Sequence, residues 1–203
     1  MRIEQRADCL QDAAGDDFDR HVVLSILTIA LTEAEGEGCS VCRQLGLDAA
    51  ELLDLAAAMV PEAIAELSCR MAAAERLESD EEEQSLRDLL VMFSTDGSWL
   101  QRHLAAMIAR RCKQPHHLWQ DLGLNNRGEL SLLMSRHFAG LAARNRNDMK
   151  WKKFLYRMVC RSEGFSLCLS PVCSECDDFA NCFGAEDGES LLARLRNGQE
   201  LRV

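Results

Sequence analysis

Apolar residues recur at helical spacing along most of the chain. Phe18, Val22, Val23, Ile26 and Leu27 form the first stripe. Asp16 and Asp17 suit the positive end of that helix, and TEAEGEG, with Gly36 and Gly38, ends it. A second helix is expected from about Asp48 to Val60, carrying Leu52, Leu53, Leu55 and Met59. Pro61 opens a third, which carries Ile64, Leu67, Met71 and Leu77. The acidic run ESDEEEQ at 78–84 reads as a solvated loop and helix start. Leu86, Leu89, Leu90 and Phe93 follow on one face, STDG breaks the pattern, and Leu100, Leu104, Met107 and Ile108 mark the next helix. PHHLWQDL at 115–122 is a short punctuated segment. A helix over 128–143 buries Leu130, Leu133, Met134, Phe138 and Leu141. The last helix, NRNDMKWKKFLYRMVCR at 145–161, is two-faced. Met149, Trp151, Phe154, Leu155, Met158 and Val159 lie on or near one side, and Lys150, Lys153, Arg157 and Arg161 on the other.

Composition supports this reading. Hydrophobic residues make up 47% of the 203 residues, aromatics only 5%, and there are three prolines, each at a break in the pattern. The expected fold is all-α, a helical bundle followed by an irregular C-terminal cysteine-rich metal-binding loop. The expected organisation is a helical domain over 1–161, the cysteine-rich loop over 162–187, and a short C-terminal helix or tail over 188–203, together one structural unit. Residues 1–15 read as a loosely docked start. A net charge of −10 argues against non-specific nucleic-acid binding. No secretory signal is visible, and no apolar run approaches the roughly 20 residues of a membrane span. A cytoplasmic protein without a membrane or nucleic-acid partner is therefore expected.

Ten cysteines then change the picture. Scattered ones such as Cys69 and Cys112 read as small core residues. Cys39 and Cys42 form a C-x2-C that is either accidental or half of a second site completed by Cys9 or a histidine. The stretch CLSPVCSECDDFANC at 168–182 spaces Cys168, Cys173, Cys176 and Cys182 as C-x4-C-x2-C-x5-C. Four-cysteine zinc sites usually bring two C-x2-C knuckles together, and here only one is present. C-x4-C-x2-C opens the plant-type ferredoxin ligand pattern. An iron–sulfur cluster is favoured, with a four-thiolate zinc site left open.

Charge around this loop is uneven. Seven basic residues and one acidic residue fall between Arg144 and Arg161, giving +6 in an acidic protein. The basic helix is either a solvated face or a field that offsets an anionic cluster or attracts an oxyanion. Glu175, Asp177 and Asp178 would lower a cluster's potential or offer hard oxygen ligands. Of the adjacent histidines His116 and His117, which cannot face the same way, His117 is a candidate accessory to the metal. His137 reads as a core-edge residue and Trp119 as an anchor. No Ser–His–Asp, phosphate-loop or dinucleotide pattern argues for an enzyme.

HLWQDLGL at 117–124, NRNDMKWKKFLYR at 145–157 and the cysteine run ending in CFG at 182–184 together resemble the NifQ family of nitrogen-fixation proteins. The resemblance is strong over about 100–187. It implies a molybdenum donor for assembly of the nitrogenase iron–molybdenum cofactor: a metallochaperone, with an iron–sulfur cluster that becomes Mo–Fe–S when loaded. It implies Cys168, Cys173, Cys176 and Cys182 as cluster ligands; the charge pattern adds Lys150, Lys153 and Arg157 as candidate accessory residues. Implied partners are the cofactor-assembly scaffold, the nitrogenase iron protein, and molybdate or a molybdenum carrier. An electron carrier or redox sensor, and a zinc-binding interaction protein, are the alternatives.

Overall fold

The computed structural model describes residues 17–71, 79–162, 182, 186 and 190–192. Every element among them is helical. Helix α1 (Asp17–Glu37) buries Val22, Val23, Ile26 and Leu27, the expected stripe. Its first turn also carries a buried acid: Asp19 accepts a hydrogen bond from His137 Nε2 at 2.9 Å. That bond ties the start of α1 to a residue 118 positions on, and gives His137 a partner inside the body.

A short helix that the apolar pattern does not announce follows, α2 (Val41–Leu45). Ser40 caps it, its hydroxyl accepting from the Cys42 N–H, and Gly46 ends it at φ 66°. Cys42 is buried in the core. Cys39, just ahead of the helix, accepts a hydrogen bond from Gln44 Nε2 at 3.4 Å. The C-x2-C is thus a helix start with one packed thiol. Among the described residues no group of three or more potential ligands gathers anywhere; Cys9 lies outside them.

Helix α3 (Ala49–Met59) opens with a capping box, in which the Asp48 carboxylate accepts from Glu51 N and the Glu51 carboxylate from Asp48 N. Pro61 then begins a 3-10 turn (Pro61–Ala63) that runs into α4 (Ile64–Arg70). The expected long third helix is shorter here: Met71 is already extended, and Leu77 lies outside the described residues. Cys69 is exposed, against the expectation of a core thiol, because α4 buries only Leu67. Cys112 does meet that expectation. It is buried, and burial pushes its thiol up to about 12.

Helix α5 (Glu81–Met92) starts in the acidic run. Asp80 caps it by accepting from Glu83 N. The run is not wholly solvated: Glu83 is buried against Arg110, 3.0 Å away. Helix α6 (Trp99–Arg111), capped by Ser98, is buried nearly all round, including Gln101, His103 and Arg111. Helices α2, α3 and α5 all pack on it, so α6 is the centre of the body.

After α7 (Leu118–Asp121) come α8 (Arg127–His137) and α9 (Ala139–Ala142). The pattern over 128–143 predicts one helix, and the structure makes two. The break is Phe138, at φ −135° and ψ 49°, whose side chain is fully buried. Thr95 satisfies the interrupted backbone. Its N–H donates to the His137 carbonyl, and its hydroxyl accepts from Ala139 N and donates to the Arg136 carbonyl. Helix α10 (Trp151–Ser162) packs on α5.

Candidate metal site

Residues 145–150 set up the site, and they are a structured loop where the pattern predicts the start of a helix. Asn145 folds over them, its Oδ1 accepting from Met149 N and its Nδ2 donating to the Met149 carbonyl, both at 2.9 Å. Asp148 takes the left-handed conformation, at φ 52°. Asn and Asp supply such local amide and carboxylate bonds, so the chain turns here and α10 starts at Trp151.

The chain from Met149 through α10 then sorts its residues by face. Met149, Trp151, Phe154, Leu155 and Val159 enter the core, Trp151 and Phe154 meeting edge to face with ring centroids 5.7 Å apart. Lys153 is exposed, while Lys150 and Arg157 are half-buried. Lys152 turns inward, its ammonium reaching both the Asp121 carboxylate and the Gln114 carbonyl.

Asp121 is the hub of a buried polar network. Its side chain is fully buried and lies 3.2 Å from His116 Nδ1 as well as against Lys152. Burial raises its carboxyl above the ordinary value, opposed chiefly by Lys152. Its backbone carbonyl accepts from Arg111 Nε at 2.7 Å. The Arg111 guanidinium is also fully buried and grips Glu33 of α1 through both terminal nitrogens.

The neighbouring histidine faces elsewhere, as adjacency requires. His117 precedes α7, and its N–H donates to Gln120 Oε1. Its Nδ1 lies 3.5 Å from Glu186 Oε1. The Glu186 side chain is 2% exposed, and its other oxygen stands 3.2 Å from Arg127 Nε. Among the described residues neither Glu186 Oε2 nor Arg127 Nε completes a hydrogen bond, so this contact is electrostatic and misaligned. Arg127 also donates to the Asp148 carbonyl and carboxylate at 2.8 and 2.9 Å. Burial raises the Glu186 carboxyl, with Arg127, His117 and Lys150 pulling it back.

Cys182 lies beside this cluster. The Lys150 N–H donates to its carbonyl at 2.9 Å. The residue is half-exposed and packs against the main core. Further on, Leu191 and Leu192 are buried with Ile29 of α1. The structure therefore brings Cys182, His117 and Lys150 into one neighbourhood. Cys168, Cys173 and Cys176 lie outside the described residues, and Lys153 stands out on the exposed side of α10. Sequence reasoning missed Glu186, Arg127, Asp121 and Lys152. Glu186 falls within the segment read as the cysteine-rich loop over 162–187, and only the contact with His117 and Arg127 distinguishes it. A partly exposed thiol and a partly exposed imidazole are donor types that soft and borderline metals accept, but the described residues alone do not assemble three ligands here.

The described residues define a helical protein, with Cys182 and His117 near one another at the edge of its body. A model of the NifQ family matches residues 22–184. The NifQ homolog of Sinorhizobium fredii is 38% identical over 86% of this chain and 75% of its own length. The NifQ proteins of Rhodobacter capsulatus and Azotobacter vinelandii are 42% and 43% identical over 55% and 41% of this chain, and the match covers 62% and 43% of their lengths. The chain belongs to the NifQ family of nitrogen-fixation proteins. No solved structure matches it significantly.

Proposed function

We propose that this chain carries molybdenum on an iron–sulfur cluster and donates it to assembly of the nitrogenase iron–molybdenum cofactor. The observation that carries the reading is the C-x4-C-x2-C-x5-C run, which falls wholly inside the family match ending at residue 184. Cys168, Cys173, Cys176 and Cys182 would hold the cluster, whose soft sulfides supply a face on which molybdenum can be carried.

The chain's own residues do the positioning. Lys150 fixes the backbone at Cys182. Arg127 and Lys150 flank the Glu186 side chain and would supply positive charge near Cys182. Such a field lowers the cost of gathering several thiolates and sulfides in one place. The half-exposure of Cys182 leaves a route by which cargo reaches an acceptor. Such a protein binds and hands over its metal without turning over a small substrate. Its partners are the cofactor-assembly scaffold, the nitrogenase iron protein, and molybdate or a molybdenum carrier as source, all in the cytoplasm.

The test is metal and sulfide analysis of full-length protein isolated anaerobically from molybdate-supplied cells. Iron, sulfide and molybdenum are expected together. Cys182→Ser is expected to lose most of the molybdenum and iron with its helical circular dichroism intact. Zinc as the sole metal sinks the reading in favour of an interaction protein. Iron that cycles electrons, without molybdenum, makes the chain an electron carrier.

A further inference from the structure

We propose that His117 is a nitrogen ligand to a metal held at Cys182, and that Glu186, gripped by Arg127, is the carboxylate that orients it. The inference rests on the metal-carrying reading above. It extends that reading from an all-thiolate site to one with an imidazole donor.

A histidine that binds metal through one ring nitrogen commonly directs the other at a carboxylate or carbonyl. That second bond fixes the tautomer and the ring plane and makes the ligating nitrogen more basic. The arrangement at His117 points to this form, with ring nitrogen and carboxylate at ion-pair distance. Nδ1 faces Glu186 Oε1 at 3.5 Å, which leaves Nε2 as the ring nitrogen for a ligand. The ring is 32% exposed, so the imidazole is not sealed inside the body.

His116, next door, differs. Its Nδ1 faces Asp121, a carboxylate already occupied by Lys152 inside the body. The two histidines thus divide between a structural network and the thiol edge.

The carboxylate itself is unusual. Burying a carboxylate costs several kcal/mol, roughly, unless good hydrogen bonds offset it. The Glu186 side chain is 2% exposed, and its Oε2 faces Arg127 without a completed hydrogen bond. A salt bridge serving stability alone gains from the forked alignment that Arg111 makes with Glu33. The Glu186–Arg127 contact lacks that alignment and spends its other oxygen on His117.

Position completes the argument. Glu186 is four residues beyond Cys182. Lys150 bonds the Cys182 carbonyl through its N–H, and its charge acts on Glu186. His117, Arg127, Lys150, Glu186 and Cys182 therefore share one edge of the body. Ligation needs only the neutral imidazole. Nδ1 keeps its proton toward Glu186, and the Nε2 lone pair replaces an exchangeable ligand on the metal, with no electron transferred.

The test uses full-length protein with 15N-labelled histidine, isolated anaerobically from molybdate-supplied cells. Iron and molybdenum are counted first, and then pulsed paramagnetic resonance is recorded in the oxidised and reduced states. Where both states are diamagnetic, X-ray absorption at the iron and molybdenum edges reads imidazole scattering instead, and the two edges tell which metal carries the ligand.

A histidine nitrogen signal is expected in the wild type and in His116→Ala, and its loss in His117→Ala. Glu186→Gln should weaken metal retention by roughly 10–100-fold with circular dichroism unchanged. If His117→Ala fails to fold, His117→Gln, which keeps an amide toward Glu186, replaces it. Wild-type protein that holds iron and molybdenum but shows no histidine signal overturns the His117 assignment and leaves the metal-carrying reading intact. So does a signal that survives in the folded His117 variant. Wild-type protein without either metal overturns both.

Discussion

Arg111 carries a full charge with no exposed side-chain surface. It survives there because every direction has an acceptor: Glu33 on α1 and the Asp121 carbonyl at the end of α7. One side chain thus joins three helices. Removing it leaves a largely buried carboxylate and a buried carbonyl without this partner, which is the costly way to break an ion pair. Arg111→Met is expected to destabilise the chain by about 3–5 kcal/mol in urea unfolding. Arg111→Met combined with Glu33→Leu should recover a large part of that loss, since both charges then go together. A double variant no more stable than the single one would place the cost in packing instead. Nothing in the local sequence RRCK marks Arg111 out from Arg110. Helical spacing places both near the end of α6, and only the facing elements decide which is buried.

At the scale of elements, helix α8 shows how a terminus is built and how it responds to acid. Asn126 caps it, its side chain accepting from Glu129 N. Glu129 in turn accepts from the Asn125 N–H and side-chain amide at 2.9 and 2.7 Å, and meets His21 of α1 at 3.1 Å. Burial pushes the Glu129 carboxyl up, but those hydrogen bonds and His21 outweigh it, leaving it below its ordinary 4.5. A depressed carboxyl adds stability above its unfolded-state value and loses it as pH falls through the folded-state value. Wild-type stability should therefore fall more steeply below about pH 4.5 than that of Glu129→Gln, measured by urea unfolding across that range. Parallel curves would remove Glu129 from the acid response. Most of the elements were legible: the stripes of α1, α3, α5, α6 and α10 follow helical spacing, and caps such as Asp48 and Ser98 stand where the stripes begin. The gap at Phe138 was not. Its apolar side chain continues the stripe, and the break depends on Thr95, which reaches it from a loop 43 positions earlier.

At the scale of the whole molecule, Gly123 decides how closely the α7–α8 connection approaches α1. It sits at φ 69°, and a Cβ there would stand 2.6 Å from the Ser25 carbonyl oxygen and 3.2 Å from Leu192. Gly97 has the same φ with nothing within 4 Å. Comparing the two separates backbone strain from lost space. Gly97→Ala should cost about 1–2 kcal/mol, the left-handed penalty alone. Gly123→Ala should cost a further 1–3 kcal/mol or so, because Ser25 contributes backbone that cannot rotate away. Equal losses in thermal unfolding would mean that α1 yields freely. The same close approach seats Leu192 near α1.

The sequence by itself determined the helical class, the order of most elements and the thiolate spacing. Those depend on local periodicity, on capping chemistry and on residue types a few positions apart. The family match rests on the same local strings, HLWQDLGL, NRNDMKWKKFLYR and the cysteine run. The tertiary structure alone decided which charges are buried and what they face. Glu186 meets His117 and Arg127 across 69 and 59 positions of chain, and Lys152 meets Asp121 across 31. No local pattern encodes such pairings. They arise because a buried charge persists only where other elements bring a partner to it, and that is settled by packing.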